Sequence, residues 1–198
     1  MFLENTINHA KQSGWMEVIC GSMFSGKTEE LIRRLRRAEM AGQNVEIFKP
    51  KIDVRYDETE VVSHNLNKIR STPVESSSEV LLLGSNCDVV GIDEAQFFDE
   101  HIVEVANTLA NNGVRVVIAG LDMDFMGRPF GPMPYLMATA EYVTKVHAIC
   151  KKTGNLANYS MRISDNKDLV QLGENESYNA VSRKIFVEEN KIKKDDSL

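Results

Sequence analysis

The chain has 198 residues, 42% hydrophobic and 26% charged, with 12 Gly, 5 Pro and 3 Cys, which excludes collagen-like, disordered and disulfide-scaffold classes. Its 29 acidic and 23 basic side chains leave a formal net charge of −6, a surface that repels nucleic-acid phosphate unless its basic residues gather in one place. Cys20, Cys87 and Cys150 lie far apart and form no CxxC pair, which fits a reducing compartment and, taken alone, argues against disulfides and zinc.

In chain order, residues 1–14 break their apolar residues with Glu4, Asn5, His9, Lys11 and Gln12, unlike a secretory leader. The longest apolar run, residues 116–121, is far short of the ~20 residues of a membrane span. The expectation is a cytoplasmic protein with no membrane or nucleic-acid partner. Residues 15–20 read as a strand carrying one charge, Glu17, and ending at Gly21. Residues 28–41 read as a helix, with Leu31, Leu35 and Ala38 at helical spacing and Gly42 as its stop. Four arginines in it (Arg33, Arg34, Arg36, Arg37) resemble a nucleic-acid patch, but their spacing spreads them around the helix, and the expectation is a solvated or subunit-facing surface.

Residues 45–48 are a second strand, closed by Lys49-Pro50, and the polar stretch 51–68 reads as a long loop. Residues 79–83 end a short helix, residues 88–92 form a buried strand and residues 99–111 an amphipathic helix. Residues 114–121 form a β-branched central strand. A Gly/Pro-rich connection precedes residues 135–140, and residues 142–149 read as one more strand. This alternation predicts an α/β core with a parallel sheet and helices on both faces, spanning residues 1–149. Residues 150–187 form a small irregular C-terminal lobe, and residues 188–198 a charged, solvated tail.

Gly21-Ser22-Met23-Phe24-Ser25-Gly26-Lys27-Thr28 satisfies GxxxxGK[ST], between a strand and a helix, as a phosphate-binding P-loop requires. A chain of this length meets that pattern by chance on the order of once in a hundred, given average Gly usage. Glycines let backbone N–H groups curl around phosphate oxygens, and the helix N-terminus adds partial positive charge. Lys27 is expected to reach the β- and γ-phosphates of ATP, and the Thr28 hydroxyl to bind Mg²⁺.

Residues 89–92 are an apolar strand ending in two acids, Asp93 and Glu94. Asp93 can orient the magnesium shell opposite Thr28. Glu94 can accept a proton from water, giving an ATPase, or from a substrate hydroxyl, giving a kinase. Residue chemistry alone leaves both open.

The segments GSMFSGKTEELIRRLRR, FKPKIDVRYD, VSHN, IDEAQFFD and AGLDMDFMGRPFG occur in one order, and together they resemble the type II thymidine kinases, the cytosolic, zinc-bearing type. The resemblance implies a P-loop, RecA-like core, a lasso lobe at 150–187 and ATP-dependent phosphorylation of the thymidine 5′-hydroxyl. It also implies a homotetramer and feedback inhibition by thymidine triphosphate. Carried over by position, Glu94 is the catalytic base. The P-loop residues, Asp53, Val54 and Arg55, and Asp93, Glu94, Ala95 and Gln96 contact ATP, with Mg²⁺ near Thr28 and Asp93. Met23, Phe125, Leu169, Val170, Gln171, Leu172, Gly173 and Tyr178 contact thymidine. Phe125, the 169–173 stretch and Tyr178 favour a nucleoside kinase over an ATPase switch or a binding module without turnover, since neither of those needs a nucleoside pocket.

One departure stands out. The family's structural zinc is held by two cysteine-rich pairs, which fall here at Cys150 with Thr153 and at Ser182 with Ile185. One thiol cannot hold a four-coordinate zinc. The expectation is a lobe with no structural zinc, held by apolar packing through Val181, Ile185 and Phe186.

Overall fold

The computed structural model describes residues 14–51, 60–62, 68–163 and 178–195. Its core elements are β1 (Trp15–Gly21), α1 (Lys27–Met40), β2 (Val45–Pro50), the short pair β3 (Glu60–Val62) and β4 (Lys68–Arg70), β5 (Thr72–Val74) and α2 (Ser77–Gly84). They continue with β6 (Val89–Ile92), a 3₁₀ turn (Ala95–Phe97), α3 (Ile102–Asn111), β7 (Arg115–Gly120), α4 (Met133–Thr139) and β8 (Tyr142–Val146). The lobe comprises β9 (Ala148–Ile149), β10 (Leu156–Ala157), β11 (Tyr159–Arg162), β12 (Tyr178–Val181) and α5 (Arg183–Asp195).

Six strands form one parallel sheet in the order β5-β2-β6-β7-β1-β8. Strand alternation divides the core in two. Met16, Val18, Phe48, Val90, Ile92, Val116 and Ile118 pack with Ile102, Leu109, Met133 and Leu136. Ile19, Ile47, Val117 and Ala119 face the other way and bury Leu31, Ile32, Leu35 and Ala38 of α1. This is the expected α/β architecture with helices on both faces, and it puts the carboxyl ends of β1, β6 and β7 side by side.

Two expectations change in detail. Residues 142–149 are not one strand: β8 lies on the sheet edge beside β1, whereas β9 turns away to pair antiparallel with β10. The chain therefore passes from sheet to lobe at His147. The charged residues from Glu188 onward also begin inside a helix, since α5 runs to Asp195.

The lobe packs Ala148, Cys150, Ala157, Tyr159, Val181 and Phe186 into its own cluster, with Ile185 partly buried against it. Tyr159 and Phe186 stack with ring centroids 4.2 Å apart. The positions matching the family's zinc ligands do meet: Thr153 Oγ1 donates to Ser182 Oγ at 3.3 Å, beside the buried Cys150. Burial pushes the Cys150 thiol up, but hydrogen bonds from the side chains and backbone of Thr153 and Ser182 outweigh it and bring it down to about 6.

The arginine run is divided by burial. Arg33, Arg36 and Arg37 are exposed, whereas Arg34 turns inward to Glu17 of β1 at 2.8 Å and to Glu30 at 2.8 Å. Arg33 also donates to Glu30 at 2.7 Å. Hydrogen bonding from Arg33 first, and from Arg34 against some opposition from burial, lowers the Glu30 carboxyl from 4.5 to about 2. A carboxyl depressed on folding contributes stability above its unfolded pKa and loses it as pH falls through the folded one. Glu30→Gln is therefore expected to flatten the loss of stability between pH 4.5 and 2, read by denaturant melts across that range. An unaltered acid limb would rule the pair out as its source.

Candidate active site

The P-loop leaves β1 at Gly21, whose φ is 146° and where a Cβ would lie 2.1 Å from the carbonyl oxygen of Val146. No side chain fits there. Gly26 caps α1 in the left-handed region at φ 85°, which turns the first helical N–H groups toward the loop. Phe24 (φ 63°) and Glu94 (φ 51°) are the two non-glycine residues with positive φ among the described residues, and both lie in this site. Such backbone costs about 1–3 kcal/mol and persists where the surroundings enforce it.

Lys27 donates to the carbonyl oxygen of Ser22 at 2.9 Å. Burial lowers its pKa, while Glu94, Asp93 and Asp122, in decreasing order, oppose that shift. An ammonium surrounded in this way is suited to meeting phosphate charge. The Ser25 hydroxyl is buried with no hydrogen-bond partner in the described structure, so a phosphate oxygen fits its chemistry. Thr28 Oγ1, in the first turn of α1, and Asp93 Oδ2, just beyond β6, face each other at 3.5 Å. A hydroxyl beside a carboxylate is an oxygen donor set that fits Mg²⁺.

Asp93 accepts the Glu94 N–H at 3.0 Å, which fixes the bend at the end of β6. Gln96, buried in the 3₁₀ turn, donates through Nε2 to Glu94 Oε2 at 2.5 Å, and its Oε1 accepts the Leu121 N–H at 2.9 Å. Gln96 thus ties the Glu94 carboxylate to the end of β7. Ala95 turns its side chain into the core. Beyond β7, Asp122 pairs with Lys145 at 2.5 Å and keeps its Oδ1 buried without a hydrogen bond in the described structure.

The loop is also fastened to the lobe. Ser22 Oγ donates to the carbonyl of Ala157, and the Met23 N–H donates to Ser160 Oγ, both at 2.9 Å. Met23 is therefore held against β11. On the same strand Arg162 places its guanidinium over the half-buried Phe125 ring, 3.9 Å from the centroid, and donates through Nε to the Tyr178 hydroxyl at 3.1 Å. Phe125 and Tyr178 are thereby brought together.

The structure gathers Gly21 to Thr28, Asp93 to Gln96, Phe125 and Tyr178 around one end of the sheet. Asp53, Val54 and Arg55, and Leu169, Val170, Gln171, Leu172 and Gly173, lie outside the described residues. The sequence reading missed Ser160, Arg162 and the pairing of Asp122 with Lys145. Asp122 carried a signal, as an acid directly after an apolar strand.

Residues 14–186 match the family model described as thymidine kinase. A curated relative named thymidine kinase from Porphyromonas gingivalis is 62% identical over 184 residues, covering 93% of this chain and 90% of that protein. A second, of the same name from Bacteroides fragilis, is 60% identical over 186 residues, or 94% of each chain. Among solved structures, the Pif1 helicase from Candida albicans overlaps at a TM-score of 0.45 and 16% identity, over 72% of this chain and 38% of that one, too slight a likeness to bear on function.

Proposed function

The chain belongs to the thymidine kinase family, and on that footing we propose that it transfers the γ-phosphoryl group of ATP to the 5′-hydroxyl of thymidine. The products are ADP and thymidine monophosphate, which places the enzyme in nucleotide salvage. The observation that carries this reading is the Glu94 carboxylate, held by Gln96 and near enough to Lys27 of the loop for its charge to act on that ammonium.

The roles follow from position. Gly21 to Thr28 wrap the phosphates with backbone N–H groups, and Lys27 neutralises charge on the β- and γ-oxygens. Thr28 and Asp93 would hold Mg²⁺, which supplies further neutralisation of phosphate charge when bound. Glu94 takes the proton of the 5′-hydroxyl as its oxygen attacks the γ-phosphorus, and the bond to the β-phosphate oxygen breaks. Phe125 and Tyr178 hold the base, with Leu169 to Gly173 contributing backbone contacts and Asp53, Val54 and Arg55 lying by the phosphates. The test is incubation with γ-labelled ATP and a panel of deoxynucleosides, identifying the labelled products. The reading expects labelled thymidine monophosphate, and a panel in which thymidine accepts no label would contradict it.

The same reading extends to a homotetramer in the cytoplasm with thymidine triphosphate as feedback inhibitor. It also includes a lobe without structural zinc. The Thr153–Ser182 hydroxyl pair and the apolar cluster around Val181 and Phe186 support the last point. Metal analysis of purified protein is expected to find no stoichiometric zinc. Zinc that resists dialysis would overturn the point.

A further inference from the structure

Arg162 takes no part in the chemistry above, yet it links Phe125 and Tyr178, the two rings assigned to the base. It is 3% exposed, and it stands directly opposite Tyr178 in the antiparallel register of β11 and β12. Its guanidinium lies 3.9 Å from the Phe125 ring centroid and 5.2 Å from that of Tyr178. Both Nε and Nη2 donate to the Tyr178 hydroxyl. A buried cation is unfavourable unless acceptors and π faces meet it, and a planar guanidinium meets both at once. The two rings come from different places, Phe125 from the core loop after β7 and Tyr178 from the lobe. A single side chain spans them. It also covers one side of the half-buried Phe125 ring.

We infer that Arg162 is a positioning residue for the nucleoside: by clamping Phe125 and Tyr178 it fixes, before binding, the aromatic surface that receives the pyrimidine base. This rests on the thymidine-phosphorylating reading. A preformed surface saves the ordering cost that loose rings would take from binding, so the effect belongs to the nucleoside and not to ATP.

The test uses Arg162→Lys, which keeps the charge and loses the planar fork. We expect KM for thymidine to rise about 10- to 100-fold, the range for losing a charged hydrogen bond, with kcat and KM for ATP within about twofold of wild type. Tyr178→Phe, which removes the shared acceptor, is expected to give a similar loss, and the double variant no further one. An unchanged thymidine KM overturns the inference. So does a parallel rise in both KM values with a lowered melting temperature, the mark of a merely structural residue, and so do additive losses in the double variant. Wild-type protein that phosphorylates no thymidine overturns the functional reading together with this one, whereas an Arg162→Lys enzyme that matches an active wild type overturns this one alone.

Discussion

Glu94→Gln is expected to bind ATP as the wild type does and to transfer its phosphoryl group roughly 10²–10⁴-fold more slowly, the usual contribution of a positioned general base. Gln matches Glu in shape and keeps an oxygen that can accept the Gln96 amide proton, so the tie between Gln96 and the end of β7 is preserved. What it lacks is a basic lone pair for the 5′-hydroxyl proton. The strained backbone at this position, φ 51°, shows that the fold holds residue 94 in place at some cost in stability. Loss in kcat with an unchanged ATP dissociation constant, from steady-state kinetics beside an ATP titration, is the expected signature. Undiminished turnover would remove Glu94 from the base role.

The largest expected effect on stability lies away from the chemistry, at Glu17. This carboxylate is fully buried and accepts from Arg34 Nη1 at 2.8 Å, from Arg115 Nε at 2.7 Å and from Trp15 Nε1 at 2.7 Å. Its loss leaves two buried guanidinium groups short of their shared counter-charge, and Arg115 Nη2 already has no hydrogen bond in the described structure. Breaking a buried ion pair from one side costs about 3–5 kcal/mol. Glu17→Ala should therefore lower the melting temperature by roughly 6–20 °C for a domain of this size, with a matching fall in the denaturant midpoint. Glu17→Gln retains acceptors and should lose less. A Glu17→Ala protein within about 0.5 kcal/mol of wild type would show that the network contributes little to stability.

The sequence made some of these features legible and hid others, for physical reasons. The P-loop was readable because phosphate wrapping demands glycine where φ is positive and where Val146 crowds the backbone, and a lysine at one fixed offset. The buried strands were readable because parallel strands covered on both faces become nearly continuous apolar runs. Glu17 stood out as the single charge in one such run. Arg34 carried a usable signal: it lies three residues after Leu31 and four before Ala38, on the apolar stripe, where a charge implies a buried partner. The role of Gln96 as a tether depends on the left-handed turn at Glu94, which no local pattern announces. The fastening of Met23 to Ser160 joins residues 137 apart in sequence and was out of reach. Arg162 sits in a polar stretch without periodicity, and its meaning appears only when β11 pairs with β12 and both approach Phe125. The break at His147 was missed because β8 and β9 follow one another as extended apolar pieces, while their hydrogen bonds go to different sheets.

On the proposed chemistry, Glu94 and the P-loop direct the γ-phosphoryl group to a nucleoside and not to water. A single-turnover experiment with γ-labelled ATP, enzyme in excess, and thymidine present or omitted tests it most directly. Label is expected in thymidine monophosphate when thymidine is present, with little free phosphate at any time. Label released as free phosphate at a rate indifferent to thymidine would contradict it.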